Sequence, residues 1–313
     1  MKAFVFPGQG SQAVGMGREL AEAFAVARHT FQEVDDALSQ RLSRLMFEGP
    51  ESDLTLTENA QPALMAVSMA VVRVLKEQGG IQLKDAARFV AGHSLGEYSA
   101  LCAVGALSLT DTARLLKLRG QSMQKAVPVG VGAMAALLGA DLEAAQAIAA
   151  EAAEATGEVC AVANDNAPGQ VVLSGHADAI EKAIAIAAGK GLKRSVRLPV
   201  SAPFHCPLMV PAANAMAQAL ANIDILVPQA PVVANVSATA VSDPAEIRRL
   251  LVDQVCGMVR WRESVLYMKA QGVTSLVEVG SGKVLAGLAK RIDKEMTGVS
   301  LGTPADIDAF LKQ

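Results

Sequence analysis

The chain has 313 residues, of which 51% are hydrophobic and 19% are charged, so it can bury a large core as one domain or two unequal ones. Its formal net charge of −3 and its sequence pI of about 5.9 argue against a basic nucleic-acid surface. No apolar run approaches the roughly 18 residues of a membrane span, and the four cysteines form no C-x-x-C pair. We therefore expect a cytoplasmic protein without a metal site that contacts neither nucleic acid nor membrane.

The N-terminal part of the chain alternates short β-branched or aromatic runs with longer Ala- and Leu-rich stretches. Ala3–Phe6 is predicted as the first strand, followed by helices over about Leu20–Ser39 and Gln61–Gln78. Arg88–Ala91 is predicted as a further strand that enters a helix after Gly96. Such alternation favours an α/β fold with a mainly parallel sheet.

The middle of the chain follows a different order. Strands are predicted at Ala133–Leu138, Val159–Asn164, Gln170–Ser174 and Arg194–Leu198, and helices at Leu142–Ala155 and Ala179–Ala188. This βαββαβ order is ferredoxin-like. Strand patterns return at Val232–Asn235 and Ser275–Val279. We therefore predict a large, hydrolase-like α/β domain of residues 1–130 and 200–313, with a small ferredoxin-like domain of residues 131–199 inserted in it.

The most informative segment is Arg88–Ala100, in which G-x-S-x-G lies between a predicted strand and a predicted helix. A nucleophile elbow places its serine on the sharp turn at such a junction, and the small Gly92 and Gly96 permit close passage of strand and helix. Ser94 is therefore the predicted nucleophile. The N–H of Leu95, at the start of the helix, is placed to stabilise an oxyanion.

A serine nucleophile needs a neighbouring base, and the chain has four histidines. His29 lies in a polar helical stretch, His176 begins a helix of the small domain, and His93 should point away from the adjacent serine. His205 lies in a proline-bounded loop where the chain re-enters the large domain, which is typical of a catalytic residue. We predict a dyad of Ser94 and His205, with a backbone carbonyl fixing the histidine tautomer.

A glycine-rich loop, Phe6–Ala13, follows the first predicted strand and matches G-x-G-x-x-A, the dinucleotide fingerprint. That fingerprint requires a second strand that ends in an acidic residue about 20 residues on. Thr30–Leu45 instead keeps helical character, so its acidic residues follow no strand. We favour a second oxyanion N–H near Gln9, facing the predicted elbow.

Four motifs in this order resemble the malonyl-CoA:acyl-carrier-protein transacylases of bacterial type II fatty acid synthesis: Phe6–Gln12, Gly92–Glu97, Leu118–Gly120 and Pro203–His205. With Glu278–Leu285, the resemblance covers nearly the whole chain. It implies the ferredoxin-like insertion and a ping-pong transfer of malonyl from malonyl-CoA to the phosphopantetheine thiol of holo acyl carrier protein. It implies no resident cofactor, and we expect a monomer.

The resemblance also assigns roles to individual positions. It places the nucleophile at Ser94, the base at His205, the oxyanion amides at Gln9 and Leu95, the carboxylate-binding arginine at Arg119 and an active-site glutamine at Gln254. A guanidinium can hold the malonyl carboxylate through two parallel charge-assisted hydrogen bonds. Phe204, where some relatives carry serine, would crowd an α-methyl branch and so exclude methylmalonyl.

Two other functions stay open at this point. A serine thioesterase or esterase would use the same dyad but hydrolyse its acyl-enzyme. A non-catalytic module that binds malonyl-CoA or a carrier protein would keep Arg119 without needing Ser94 and His205. An acidic carrier would be steered by basic residues, for which the candidates are Lys190, Lys193, Arg194 and Lys283.

Overall fold

A computed structural model describes residues 1–312 of the chain. Its strands are β1 (Lys2–Phe6), β2 (Phe89–Gly92), β3 (Gly132–Leu138), β4 (Cys160–Ala167), β5 (Gln170–His176), β6 (Arg194–Arg197), β7 (Val232–Val233), β8 (Ala240–Val241), β9 (Ser275–Val279) and β10 (Thr297–Leu301). The first eight helices are α1 (Arg18–Ala23), α2 (Ala25–Leu38), α3 (Leu42–Glu48), α4 (Glu51–Thr55), α5 (Thr57–Gly79), α6 (Leu83–Ala86), α7 (Gly96–Ala103) and α8 (Leu109–Ala126). The others are α9 (Leu142–Thr156), α10 (Ala177–Gly189), α11 (Val210–Ala221), α12 (Pro244–Cys256), α13 (Trp261–Ala270), α14 (Val284–Ile292) and α15 (Pro304–Leu311).

Six strands form sheet A in the order β10-β9-β1-β2-β7-β8. All neighbours in it are parallel except β7 and β8. Side chains alternate along β1, so that Phe4 and Phe6 join one buried apolar cluster while Ala3 and Val5 join another. Apolar residues on both faces are what a parallel sheet covered by helices requires. The predicted α/β fold with a mainly parallel sheet is confirmed.

Four strands form a separate antiparallel sheet, sheet B, in the order β4-β5-β3-β6. Helices α9 and α10 pack with it around an apolar cluster of its own, which includes Leu137, Ile148, Leu173 and Ile180. The chain passes through these elements in the predicted order of strand, helix, strand, strand, helix, strand.

Several elements differ from the sequence prediction, among them one helix and two strands. The helix predicted over Leu20–Ser39 is interrupted at Phe24, whose φ of −129° and ψ of 124° are extended and whose partly buried side chain packs against the core. The strand predicted over Val232–Asn235 ends at Val233. Strand β10 was not predicted, since it is a half-exposed edge strand that contains Gly298. A Cβ on that glycine would lie 2.2 Å from the Ala286 carbonyl oxygen of α14.

Among the helices of residues 1–312, none combines the length and hydropathy needed to span a bilayer. The cysteines Cys102, Cys160, Cys206 and Cys256 are all free thiols. No group of three or more His, Cys, Asp or Glu side chains within the described part of the chain is arranged to hold a metal ion.

Candidate active site

Ser94 lies on a sharp turn between β2 and α7, at the carboxyl edge of sheet A. Its φ of 54° is in the left-handed region, which is strained for a residue with a side chain. Strand and helix approach so closely that a Cβ on Gly92 would lie 1.9 Å from the carbonyl group of Gly96. The two glycines of the motif are therefore needed for this turn, as the elbow interpretation requires.

His205 contacts the serine directly, with 2.8 Å between its Nε2 and the Oγ of Ser94. Its other ring nitrogen, Nδ1, lies 2.8 Å from the carbonyl oxygen of Gln254 and 3.1 Å from that of Gly257. Because carbonyl oxygens only accept hydrogen bonds, Nδ1 carries the proton, and Nε2 is free to accept from the serine hydroxyl. No carboxylate among residues 1–312 hydrogen-bonds to the ring.

The surroundings of His205 favour the neutral ring. Burial lowers its pKa to about 3, and the positive charge of Arg119 acts in the same direction, while the bonds to Gln254 and Gly257 oppose the shift. The imidazole is therefore unprotonated, and able to take a proton, over the whole neutral pH range.

Two backbone N–H groups are free near the serine. The N–H groups of Gln9 and Leu95 donate no hydrogen bond to any of residues 1–312. Strands β1 and β2 are parallel, with Phe6 paired to Gly92, so the loops that carry Gln9 and Leu95 leave the sheet at the same edge. The N–H of Ser94 itself is occupied, because it donates to Oδ1 of Asn235 at 2.7 Å.

Arg119 projects from α8 into the site and is only 1% exposed. Its Nη2 donates to Oγ of Ser94 at 3.1 Å and to Oε1 of Gln254 at 2.6 Å, and its Nη1 donates to Oε1 of Gln61 at 2.9 Å. All three acceptors are uncharged, its Nε has no partner, and it forms no ion pair within residues 1–312. Burial lowers its pKa, against the opposing effects of Tyr98 and Glu97. A buried guanidinium without a carboxylate is an anion-binding group.

These residues border a cavity of about 490 Å³. Its wall includes Gln9, Ser94, Leu95, Arg119, Phe204 and His205, so the structure brings six of the seven predicted site residues to one place. The seventh, Gln254, is fully buried next to Arg119, and its Nε2 donates to the carbonyl oxygen of Ser94 at 3.1 Å.

Sequence reasoning missed the residues that support this arrangement. Asn235 is 2% exposed, and its Nδ2 donates to the carbonyl oxygen of Gly92 at 2.6 Å while its Oδ1 holds the N–H of Ser94. Glu97 accepts from the N–H of Asn235 at 2.9 Å and from Nε2 of Gln254 at 3.4 Å. Burial raises the pKa of Glu97 to about 7, against these two bonds and the charge of Arg119. Asn235 is the last residue of the predicted strand Val232–Asn235, whose observed part, β7, pairs with β2, and that position was the available signal.

The other histidines are engaged elsewhere. His93 also borders the cavity, but its Nε2 lies 2.8 Å from Oδ1 of Asn166 and its ring lies beside Trp261. Burial lowers the pKa of His93, and the bond to Asn166 opposes this shift. His176 accepts from the backbone N–H of Val159 through Nδ1. His29 lies in α2, beside a different surface depression.

A serine in hydrogen-bond contact with a neutral histidine, beside two free N–H donors, defines a site for nucleophilic acyl chemistry. Residues 3–300 match the acyl transferase domain family. The chain is 45% identical over 310 residues to the malonyl CoA-acyl carrier protein transacylase of Bacillus subtilis (strain 168), covering 99% of this chain and 96% of that protein.

Two solved structures are also similar. The acyl-carrier-protein-S-malonyltransferase from Bartonella henselae has a TM-score of 0.96 and 57% identity, covering 99% of this chain and 98% of that one. A malonyl-transacylase in complex with its type II PKS acyl-carrier protein has a TM-score of 0.95 and 43% identity, covering 99% of both chains. The chain belongs to the acyl transferase domain family and, within it, to the malonyl CoA-acyl carrier protein transacylases, which confirms the resemblance that the four motifs indicate.

Proposed function

We propose that the chain transfers the malonyl group from malonyl-CoA to the phosphopantetheine thiol of holo acyl carrier protein, through a malonyl ester of Ser94. The observation that carries this proposal is the buried Arg119, which has no carboxylate partner within residues 1–312 and lies 3.1 Å from the serine oxygen. A malonyl thioester brings its own carboxylate, whereas an acetyl thioester offers nothing to satisfy this charge.

In the first half-reaction, Nε2 of His205 takes the proton of Ser94 as the serine oxygen attacks the thioester carbonyl carbon. The N–H groups of Gln9 and Leu95 stabilise the oxyanion that forms on the carbonyl oxygen. The carbon–sulfur bond then breaks, and the leaving coenzyme A sulfur receives the proton from His205. The malonyl group is left as an ester on the enzyme.

In the second half-reaction, the carrier's phosphopantetheine thiol gives its proton to His205, and its sulfur attacks the ester carbonyl carbon. The serine oxygen leaves and recovers the proton, so the cycle is ping-pong and consumes no resident cofactor. Lys193 and Arg194 are exposed on the segment that leads to Leu198 at the cavity wall, and we propose that they face the carrier. Lys190 instead pairs with Glu151 at 2.9 Å.

The two alternative functions, a thioesterase and a non-catalytic binding module, account for fewer of the observed contacts in the site than malonyl transfer does. A binding module gains nothing from a 2.8 Å contact between Ser94 and His205, both of which have left-handed backbone conformations with φ of 54° and 56°. A thioesterase needs the dyad but not a buried cation for the far end of its acyl group. Membership in the transacylase family also favours transfer to a thiol over hydrolysis.

We also propose a division of the chain into two domains. The separate apolar cluster of sheet B and its order β4-β5-β3-β6 support a ferredoxin-like small domain of residues 131–199, inserted between residues 1–130 and 200–313. Four free thiols suit a reducing compartment, so we place the activity in the cytoplasm. We propose that the enzyme acts as a monomer, because every residue with a proposed role comes from one chain.

The test is intact-mass spectrometry of the protein after incubation with malonyl-CoA, followed by addition of holo carrier protein. The wild type should gain one malonyl group and lose it to the carrier. Ser94→Ala should gain none. The matched control is Ser99→Ala, which removes a buried hydroxyl of α7 that has no hydrogen-bond partner within residues 1–312, and which should still be malonylated.

Three results would contradict the proposal. A wild type without a covalent adduct would favour the binding module, and an adduct lost to water as fast as to the carrier would favour the thioesterase. Malonylation of Ser94→Ala would move the nucleophile to another residue.

A further inference from the structure

A chain of hydrogen bonds leads from Arg119 to Gln9, and both residues border the cavity. Nη1 of Arg119 donates to Oε1 of Gln61 at 2.9 Å, and Nε2 of Gln61 donates to Oγ1 of Thr57 at 3.0 Å. The hydroxyl of Thr57 then donates to Oε1 of Gln9 at 2.8 Å. Arg119 and Gln61 are each 1% exposed and Thr57 is 2% exposed, so the two bonds that join these three residues are shielded from water, while Gln9 is partly exposed at the cavity.

Arg119 fixes the direction of the first two bonds in this chain. A guanidinium can only donate, so the oxygen of the Gln61 side chain must face it and the nitrogen must face Thr57. The Thr57 oxygen accepts from that nitrogen, and its own proton is therefore available for the oxygen of Gln9. The side-chain nitrogen of Gln9, Nε2, donates no hydrogen bond within residues 1–312. Both of its N–H groups are left for the cavity, which Gln9 borders.

The packing of the two helices brings the partners together. Arg119 is followed in α8 by Gly120, and a Cβ at that position would lie 2.5 Å from Cα of Glu58, beside Thr57 at the start of α5. The small residue lets α8 lie directly against the first turn of α5. Arg119 therefore reaches Gln61, one turn along α5 from Thr57.

We propose that Thr57 and Gln61 are positioning residues that fix Gln9, both its backbone N–H and its side-chain amide, for the reacting acyl group. We call the hydrogen-bond chain from Arg119 through Gln61 and Thr57 to Gln9 the relay. Its positioning role rests on the proposed acyl transfer. Gln9 lies in a loop between Gly8 and Gly10, and Gly10 has a φ of 102°, so the loop backbone is intrinsically permissive. The bond from Thr57 anchors this loop to a long buried helix. An oxyanion donor contributes most when it is held in place before the reaction.

Two variants of Thr57 separate its hydroxyl from its shape. Thr57→Val keeps the branched side chain but removes the hydroxyl, so Gln9 and Gln61 both lose their partner. We expect kcat for malonyl transfer to fall about tenfold with KM for malonyl-CoA within about twofold, because the lost contact acts on the transition state. Thr57→Ser keeps the hydroxyl and should stay within about threefold of wild type. Thr112→Val is the matched control, since Thr112 is a fully buried helical threonine whose hydroxyl donates to the Ser108 carbonyl oxygen.

A second readout does not depend on malonyl-CoA. A fluorophosphonate labels an activated serine, and its phosphoryl oxygen occupies the position of the acyl oxygen, so Thr57→Val should also slow labelling of Ser94 by about tenfold. If the wild type is labelled but not malonylated, the proposed function fails while the labelling rates still decide the relay. The relay is refuted if Thr57→Val is labelled as fast as wild type, if Thr57→Ser is as slow as Thr57→Val, or if Thr112→Val is slowed equally.

Discussion

Asn235→Asp replaces the side-chain amide that holds Ser94 with a carboxyl group of the same shape. The carboxyl group can donate a hydrogen bond only while it is protonated. In the native protein, Oδ1 of Asn235 accepts from the N–H of Ser94 at 2.7 Å, and Nδ2 donates to the carbonyl oxygen of Gly92 at 2.6 Å. A protonated aspartic acid can make both bonds. An ionised one keeps the bond to Ser94 but turns a negative oxygen toward a carbonyl oxygen, which widens the strained turn.

The size of the effect follows from the lost donor. A buried carbonyl left without its partner costs about 1–3 kcal/mol. At about 1.4 kcal/mol per factor of ten, the acylation rate of the ionised form should be about 5- to 150-fold below that of wild type. The introduced acid lies beside the Glu97 carboxyl and is buried, and both conditions raise its pKa above the ordinary aspartate value of about 3.9. The variant should therefore approach wild-type activity as pH falls and lose it as pH rises.

The assay is the rate of Ser94 malonylation between about pH 5 and pH 8, expressed as the ratio of variant to wild type. Glu97, whose pKa is about 7 in the native protein, lies beside the introduced acid, so the ratio reports the coupled titration of these two carboxyl groups, whereas His205 stays neutral in this range because its pKa is about 3. Asn59→Asp is the control for a buried amide away from the site: Asn59 is 6% exposed, its Nδ2 donates to the Asp53 carbonyl oxygen at 2.9 Å, and its Oδ1 accepts from Nζ of Lys117 at 2.9 Å, so the introduced carboxylate should stay ionised and the ratio should have no slope. A ratio for Asn235→Asp that does not change with pH, or an equal slope for Asn59→Asp, would refute the positioning role.

Three further changes test the charges and the cavity wall. Gln61→Glu places a carboxylate beside Nη1 of Arg119 and also removes the donor to Thr57, so acetyl and malonyl transfer should both slow, but kcat/KM for malonyl-CoA should fall at least about tenfold more than that for acetyl-CoA; equal losses would show that the Arg119 charge is not what selects malonyl. Arg119→Gln removes a charge that lowers the pKa of His205, so this pKa should rise and the low-pH loss of fluorophosphonate labelling should begin at higher pH; an unchanged profile would contradict this. Phe204→Ser should raise the ratio of methylmalonyl to malonyl transfer about tenfold, the effect of one accommodated methyl group, and an unchanged ratio would assign that selectivity elsewhere.

The parts of the fold that were predictable from sequence are those with a strong local pattern. The predicted strand Ser275–Val279 has the observed bounds of β9, and Ala133–Leu138 differs from β3 by one residue, because both are apolar runs bounded by turn residues. The break at Phe24 carries no such signal, since an aromatic residue suits either a helix or a bend. Its side chain packs against the core, a contact that belongs to the tertiary structure and leaves no periodic pattern in the local sequence.

The site residues also differ in whether a local sequence pattern predicts them. Ser94 and Leu95 were predicted from the local pattern of the elbow and His205 by elimination among four candidates, and all three border one cavity in the structure. Asn235, Gln61 and Thr57 carry no comparable pattern, because a buried amide or hydroxyl acquires its role only from the group that it faces. The orientation of the Gln61 amide, for example, follows from Arg119, which lies 58 residues away in the chain.

The hydrogen-bond partners of Arg119 are uncharged, which leaves this buried cation available to bind an anion. A carboxylate partner would stabilise the guanidinium, but it would also neutralise the positive charge that a substrate carboxylate would bind. The amides Gln61 and Gln254 accept its hydrogen bonds at 2.9 and 2.6 Å without neutralising it. Glu97 is held one step further away, behind Gln254 at 3.4 Å, and its raised pKa limits the negative charge that it presents. The arginine is thus held in place but left electrostatically unsatisfied, and under the proposed function the malonyl carboxylate supplies the missing charge.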